Sequence, residues 1–292
     1  MKAKLGVGMV QDRCKACEPK TVPPLLVLST WSLPAAKALA GAARQTGWRA
    51  LALDEVPAAG LPGEVVYYGG TDRAIEAATR LGLALIEPPL ELLAHLPVEF
   101  RRRPVQLVRF GDLGRLNAPT FVKPADALKK SFDAGIYANV RDIRAPHGVG
   151  PDEPVLLAEP VEWSAEYRCF VVEGRVAAWS PYVSFGRPNW KPFGPGTLAA
   201  RMPPAVAAFS ERLFDKCPAP LPPAFVMDVG LIDDRGWAVV EFNPAFCSGV
   251  LGADPGQVLA VLRRSCRTRD RLTKADRRWV IDRRSGDDVI GD

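Results

Sequence analysis

Histidine is almost absent from this 292-residue chain, which contains only His95 and His147. Serine–histidine–aspartate systems, cysteine–histidine systems and metal centres built on several imidazoles therefore have little support. Both histidines read as ordinary surface residues. Cysteine is sparse and scattered, at 14, 17, 169, 217, 247 and 266. That spacing gives no disulfide framework and argues for a reduced, cytoplasmic setting. Cys14 and Cys17 form one CxxC, but a structural zinc site needs four ligands and no second pair has matching spacing. Apolar runs of membrane-spanning length are lacking, as is a long apolar segment of secretory type near Met1. No membrane partner is expected.

Apolar residues make up 48% of the chain and charged residues 24%. This supports a substantial core, and the length suits one large or two small domains. The net charge of +5 is uneven, since residues 263–284 hold ten Arg or Lys against three Asp. The simple reading is a solvated helix end and basic tail. The alternative is a contact with nucleic acid or another polyanion, but the tail lacks interleaved aromatics beyond Trp279.

Residues 1–23 read as a loose leader. Strands are predicted at 25–29, 48–53, 64–68 and 83–86, with helices at 34–46 and from Asp72, as N-cap, to Leu81. Gly47 and Gly82 stop the two helices. Alternation with short loops predicts a small parallel α/β domain over 24–97. Residues 98–266 form a second domain. It opens with Arg101, Arg102 and Arg103, read as solvated or as a hinge contact. Within it, strands 167–172 and 175–179 pair across Glu173-Gly174. A helix with Val206, Phe209 and Leu213 on one face spans 203–216. A last helix, capped by Asp254, buries Val258, Leu259, Val261 and Leu262. The basic tail, 267–292, reads as dispensable.

The chain is organised around residues 225–246, FVMDVGLIDDRGWAVVEFNPAF. Two apolar, β-branched runs flank Asp233-Asp234-Arg235-Gly236, a hairpin signal. A two- or four-residue loop puts Asp228 directly opposite Glu241, with Asn243 on the same face. A three-residue bulged turn slips the pairing by one. Both strands are otherwise apolar on both faces, which predicts burial. Two buried carboxylates side by side need a cation or a proton, and hard oxygen ligands suit Mg²⁺.

Asp228 followed by Glu241-x-Asn243 resembles the metal-binding hairpin of the ATP-grasp superfamily. Phe121-Val122-Lys123-Pro124, Lys130-Ser131-Phe132 and Glu166-Tyr167-Arg168 resemble the branch with one Arg and two Lys at the nucleotide site. The likeness covers about residues 100–266. It implies an α+β ATP-grasp domain with antiparallel sheets after the parallel α/β domain. It also implies ATP and Mg²⁺ as cofactors, with Asp228, Glu241 and Asn243 as metal ligands. Lys123, Lys130 and Arg168 would contact the phosphates, Lys130 and Arg168 in catalytic roles; Lys129 is the neighbour of Lys130 that could replace it. Glu159 and Val161 would meet adenine through their backbones, Glu162 would accept from the ribose, and Glu166 would orient Arg168. Family members often have a Gly-rich loop over the phosphates; here residues 124–135 depart from that and shift weight to the lysines. The implied activity is an ATP- and Mg²⁺-dependent carboxylate–amine ligase acting through an acyl phosphate. Its partners would be a small-molecule or peptide carboxylate and an amine acceptor. The alternatives are a non-catalytic nucleotide-binding or scaffold protein, and a nucleic-acid-associated protein that uses the tail.

Overall fold

The structure, a computed structural model, describes residues 22–30, 33–57, 61–114, 116–145, 148–184, 187–188 and 202–280. Cys14, Cys17, His147 and nearly all of the expected leader lie outside the described residues.

The chain begins with β1 (Leu25–Leu28), α1 (Pro34–Gln45), β2 (Arg49–Ala52), β3 (Val65–Tyr68) and α2 (Thr71–Arg80). The three strands form a parallel sheet in the order β2-β1-β3. β1 and β3 are buried along their whole length, as unbroken apolar runs in a covered parallel sheet should be. Asp72 lies in the first turn of α2 and does not cap it; the N-cap is Gly70.

The fourth expected strand, β4 (Leu83–Leu85), does not join this sheet. After α3 (Leu92–His95) and α4 (Val98–Arg101) come β5 (Val105–Arg109), β6 (Thr120–Pro124), β7 (Gly135–Tyr137) and β8 (Pro154–Ala158). These last four make an antiparallel sheet in the order β5-β8-β6-β7. The residues just after the Arg101–Arg103 run, which was read from sequence as solvated or as a hinge contact, thus supply a strand of that sheet.

The larger antiparallel sheet holds β9 (Ala165–Val172), β10 (Arg175–Ser184), β11 (Arg187–Pro188), β12 (Ala224–Ile232) and β13 (Gly236–Asn243), with α5 (Pro204–Lys216) between β11 and β12. Its order is β11-β10-β9-β12-β13. One face, with Cys169, Val171, Phe225, Met227 and Val229, packs on Val206, Phe209 and Leu213 of α5. The other face, with Phe170, Val172, Ala224 and Val226, packs on α6 (Pro255–Ser265) and the N-terminal sheet. Period-two alternation in β9 and β12 thus separates two cores.

The chain then turns back on itself. β14 (Cys266–Thr268) follows α6 and pairs antiparallel with β4. α7 (Lys274–Arg277) follows, with a Thr273–Asp276 capping box, and Val280 bridges Ile86. Asp276 is paired with Arg264, and Trp279 is buried. The segment expected to be a solvated tail from 267 is folded structure as far as 280.

Candidate functional site

The central hairpin does place Asp228 opposite Glu241 and Val226 opposite Asn243, but by two irregularities that cancel. Ile232 pairs with Gly236, so the loop is the three-residue kind, closed by Arg235 N donating to Ile232 O. Gly236 takes the left-handed φ of +86° that such a turn requires. That turn slips the register by one, and Val229 indeed pairs with Val239. A bulge at Val240 then restores it before Asp228.

Asp228 is fully buried, and Arg168 faces it in register from β9. Arg168 donates from Nε to Oδ1 at 2.9 Å and from Nη2 to Oδ2 at 2.7 Å, a two-pronged pair of the strong charge-assisted kind. Its Nη1 donates to Gly249 O at 3.3 Å, and its guanidinium lies over the Tyr182 ring at 4.7 Å. Arg168 Nη2 is also 3.9 Å from Glu241 Oε1. Glu241 accepts from Lys123 Nζ, reaching over from β6 of the smaller sheet, and from Asn243 Nδ2 at 2.7 Å. Two carboxylates and two cations therefore form one chain of ion pairs between the sheets. The cation or proton that sequence reasoning demanded is supplied here by Arg168 and Lys123.

Burial pushes the Asp228 carboxyl up against the pull of Arg168, and the Glu241 charge adds to the rise. Burial alone would raise Glu241 too, but Lys123, Arg168 and the Asn243 amide hold it well below the usual carboxylate range. Glu166 is two residues before Arg168 on the same face. Burial pushes it up to about 7, helped by the charges of Asp228 and Glu241. Arg168 is oriented by Asp228 and not, as expected, by Glu166.

Beside this cluster lies a cleft lined by Leu93, Lys123, Ala125, Leu156, Glu241 and Phe242. The other nominated residues are less tightly gathered. Lys130 is exposed on the β6–β7 connection, as is Lys129, and Lys130 makes no ion pair among the described residues. The connection is anchored instead by buried Phe132 and by an Asp126 side-chain bond to Leu128 N. The Glu159 carboxylate is held by two bonds from Arg235, at 2.7 and 2.9 Å. The Glu159 N–H donates to Pro104 O at 3.2 Å. Val161 is half-buried and Glu162 exposed on the segment after β8.

As metal ligands, Glu241 and Asn243 fit a hard divalent cation. Both carry oxygens, Glu241 lines the cleft and accepts from Asn243, and the Glu241 side chain is 26% exposed. Asp228 does not fit, because Arg168 occupies both of its oxygens and it is 0% exposed. Its place in the site is to anchor the guanidinium. Among the described residues no group of three or more His, Cys, Asp or Glu is arranged to hold a metal ion.

Sequence reasoning missed Tyr182, Gly249 and Tyr68, whose hydroxyl donates to Ser248 O at 3.2 Å and ties the N-terminal sheet to the loop behind Arg168. It also missed Arg103, which runs along the hairpin edge. The unusual Arg101–Arg103 run just before a strand was the available signal, but a charge run gives no hint of where it is buried.

The profile of the ATP-grasp domain of R2K clade family 2 matches residues 100–261, more than half of the 292-residue chain. Among solved structures, the chain is similar to a RimK domain protein ATP-grasp from Sphaerobacter thermophilus DSM 20745. Identity there is 15%, over 82% of this chain and 99% of that one, with a TM-score of 0.47. It is also similar to N5-carboxyaminoimidazole synthetase from Staphylococcus aureus, at 12% identity over 84% of this chain and 78% of that one, with a TM-score of 0.48. None of the curated proteins matches the chain. With its Arg168, Lys123 and hairpin carboxylates gathered inside the matched region, the chain belongs to the ATP-grasp proteins, in R2K clade family 2.

Proposed function

We propose that this protein is an ATP-dependent ligase that joins a carboxylate to an amine through an acyl phosphate. The observation that carries the proposal is the Lys123–Glu241–Arg168–Asp228 chain of charges at the cleft between the two antiparallel sheets, in a member of the ATP-grasp proteins. Phosphoryl transfer asks mainly for positioning and charge neutralisation, not for a side-chain nucleophile. That suits a chain with two histidines.

In the first step a substrate carboxylate oxygen attacks the γ-phosphorus of ATP. The bond to the β,γ-bridging oxygen breaks, and ADP leaves with the electron pair. In the second step the amine attacks the acyl carbon, sheds a proton, and the carbon–oxygen bond to phosphate breaks. Lys123 and Arg168 are the cations at hand for phosphate oxygens, and Lys123 can exchange its carboxylate partner for a phosphate one. Mg²⁺, when bound with the nucleotide, would neutralise phosphate charge, and Glu241 and Asn243 are the residues that would hold it. Tyr182 and Gly249 keep the Arg168 guanidinium aimed.

The test is ADP release from ATP and Mg²⁺ over a panel of amino acids and short peptides, each supplied as carboxylate and as amine. Release should require both partners, and Glu241→Gln should lower it by orders of magnitude while the fold, followed by circular dichroism, persists. A folded wild-type protein that fails to bind ATP by calorimetry, or a Glu241→Gln variant that turns over normally, would overturn the proposal.

A further inference from the structure

Successive carbonyls of a regular strand point to opposite edges. At Val239 and Val240 they do not. Both are bound by one guanidinium, with Arg103 Nη1 donating to Val239 O at 2.9 Å and Nη2 to Val240 O at 2.9 Å. Nη1 also donates to Arg101 O at 3.0 Å. β13 is the edge strand of its sheet, and Arg103 approaches from beyond that edge. We infer that Arg103 is the positioning residue that holds Glu241 opposite Asp228, by clamping the bulge at Val240.

The register shows what the clamp controls. From the turn to Val229 the hairpin runs in the slipped pairing, and only the extra residue at Val240 returns Glu241 to Asp228. Without the bulge, Val240 would meet Asp228, and Glu241 would meet Met227 and turn to the opposite face. That face is the apolar core against α5. The bulge turns two neighbouring carbonyls, one buried and one partly buried, toward the same edge, where an unpaired acceptor is costly. Arg103, only 6% exposed, is the group that satisfies both.

Arg103 is itself held in place. Its guanidinium lies 4.8 Å over the Trp163 ring, and Trp163 closes down on Gly230, where an added Cβ would come within 2.3 Å of the ring. Burial lowers the Arg103 pKa to about 10, with Glu166 and Glu159 opposing the fall; the side chain still carries its charge at neutral pH.

A cycle of Arg103→Met and deletion of Val240 tests the assignment. Deleting Val240 leaves a straight hairpin in which Glu241 still faces Asp228, and the clamp loses its object. In the native background Arg103→Met should lower the melting temperature on the order of 5 °C and cut ATP turnover more than tenfold. In the deletion background it should lower melting by less than half as much and leave turnover as the deletion alone has it. Equal effects in both backgrounds would show that Arg103 only packs on Trp163 and would overturn the inference. If Arg103→Met does not fold, Arg103→Lys, which reaches one carbonyl, replaces it in the cycle. If the deletion does not fold, a crystal structure of the Arg103 variant decides: Glu241 displaced from Asp228 supports the clamp, and an intact bulge refutes it. The turnover arm rests on the ligase proposal, whereas the melting arm does not. A wild type without turnover would remove that proposal and leave the register test standing.

Discussion

Arg168 and Asp228 form an ion pair with side chains 9% and 0% exposed, and removing one partner at a time should expose how much of the fold hangs on it. Arg168→Met leaves Asp228 as a buried carboxylate that has lost the partner of both its oxygens. The cost of stranding one member of a buried pair is about 3–5 kcal/mol. Against a total stability of about 5–15 kcal/mol, that is a large fraction, and it corresponds to a fall in melting temperature on the order of 10 °C. Asp228→Asn strands the arginine, but Glu241 Oε1 stands 3.9 Å from its Nη2, so the loss should be smaller, about 2–3 kcal/mol. The double variant Arg168→Met/Asp228→Asn should cost well under the two added together, with a coupling of about 2 kcal/mol. Urea unfolding at two pH values is the assay. In Arg168→Met, burial raises Asp228 with nothing to oppose it. The stability of that variant is then greatest at low pH and declines as pH rises through neutrality. Single costs below about 1 kcal/mol, or costs that simply add, would refute the anchoring role of Asp228. A metal ligand with no structural partner would behave in that way, because its loss would not weaken the metal-free protein.

Glu166, with its pKa raised to about 7, contributes stability that is complete below pH ~4.3 and lost as pH rises through about 7. Glu166→Gln should therefore flatten the stability profile over that window and stabilise the protein at pH 8, as thermal melts across a pH series would show. Gly230→Ala should push Trp163 off its seat, since the new Cβ would lie 2.3 Å from the ring; the expected loss is about 2–4 kcal/mol, read by denaturant unfolding and by a shift in tryptophan emission. Truncation after residue 268 removes buried Trp279 and the Asp276 partner of Arg264. It should cost at least ~3 kcal/mol, in contrast to the dispensable tail read from sequence, and a truncated protein that melts like the full chain would refute the packing.

Much of the fold was legible because it is written in local pattern. Leu25–Leu28 and Val65–Tyr68 are apolar throughout, and α5 carries Val206, Phe209 and Leu213 at helical spacing. The hairpin and its opposed carboxylates were legible too, though the expected register survived only because the bulge offsets the turn. A bulge leaves no local mark, since Val240 looks like any strand valine, and the run that holds Arg103 does not show which of its arginines is buried. The pairing of Cys266–Thr268 with β4 was hidden for another reason, as the strand is three residues long and partly polar and its partner lies far back in the chain. The ion pairs of Asp228 and Glu241 likewise join strands distant in sequence, where spacing carries no information. Charge balance required that some cation be there, but could not say that the chain supplied its own.

The return of the C-terminal segment onto β4 sets the order in which the molecule can be completed. During synthesis Leu83–Leu85 emerges long before Cys266–Thr268, the strand that covers it. Ile86 and Glu87 wait likewise for Val280 and Trp279. The N-terminal layers therefore cannot finish as a unit while the ribosome is still making the rest of the chain. Joining ends so far apart costs loop-closure entropy before any contact rewards it, so closure is a late event and β4 spends the interval as an open edge. That interval is when the nascent chain is most exposed to pairing with a neighbour.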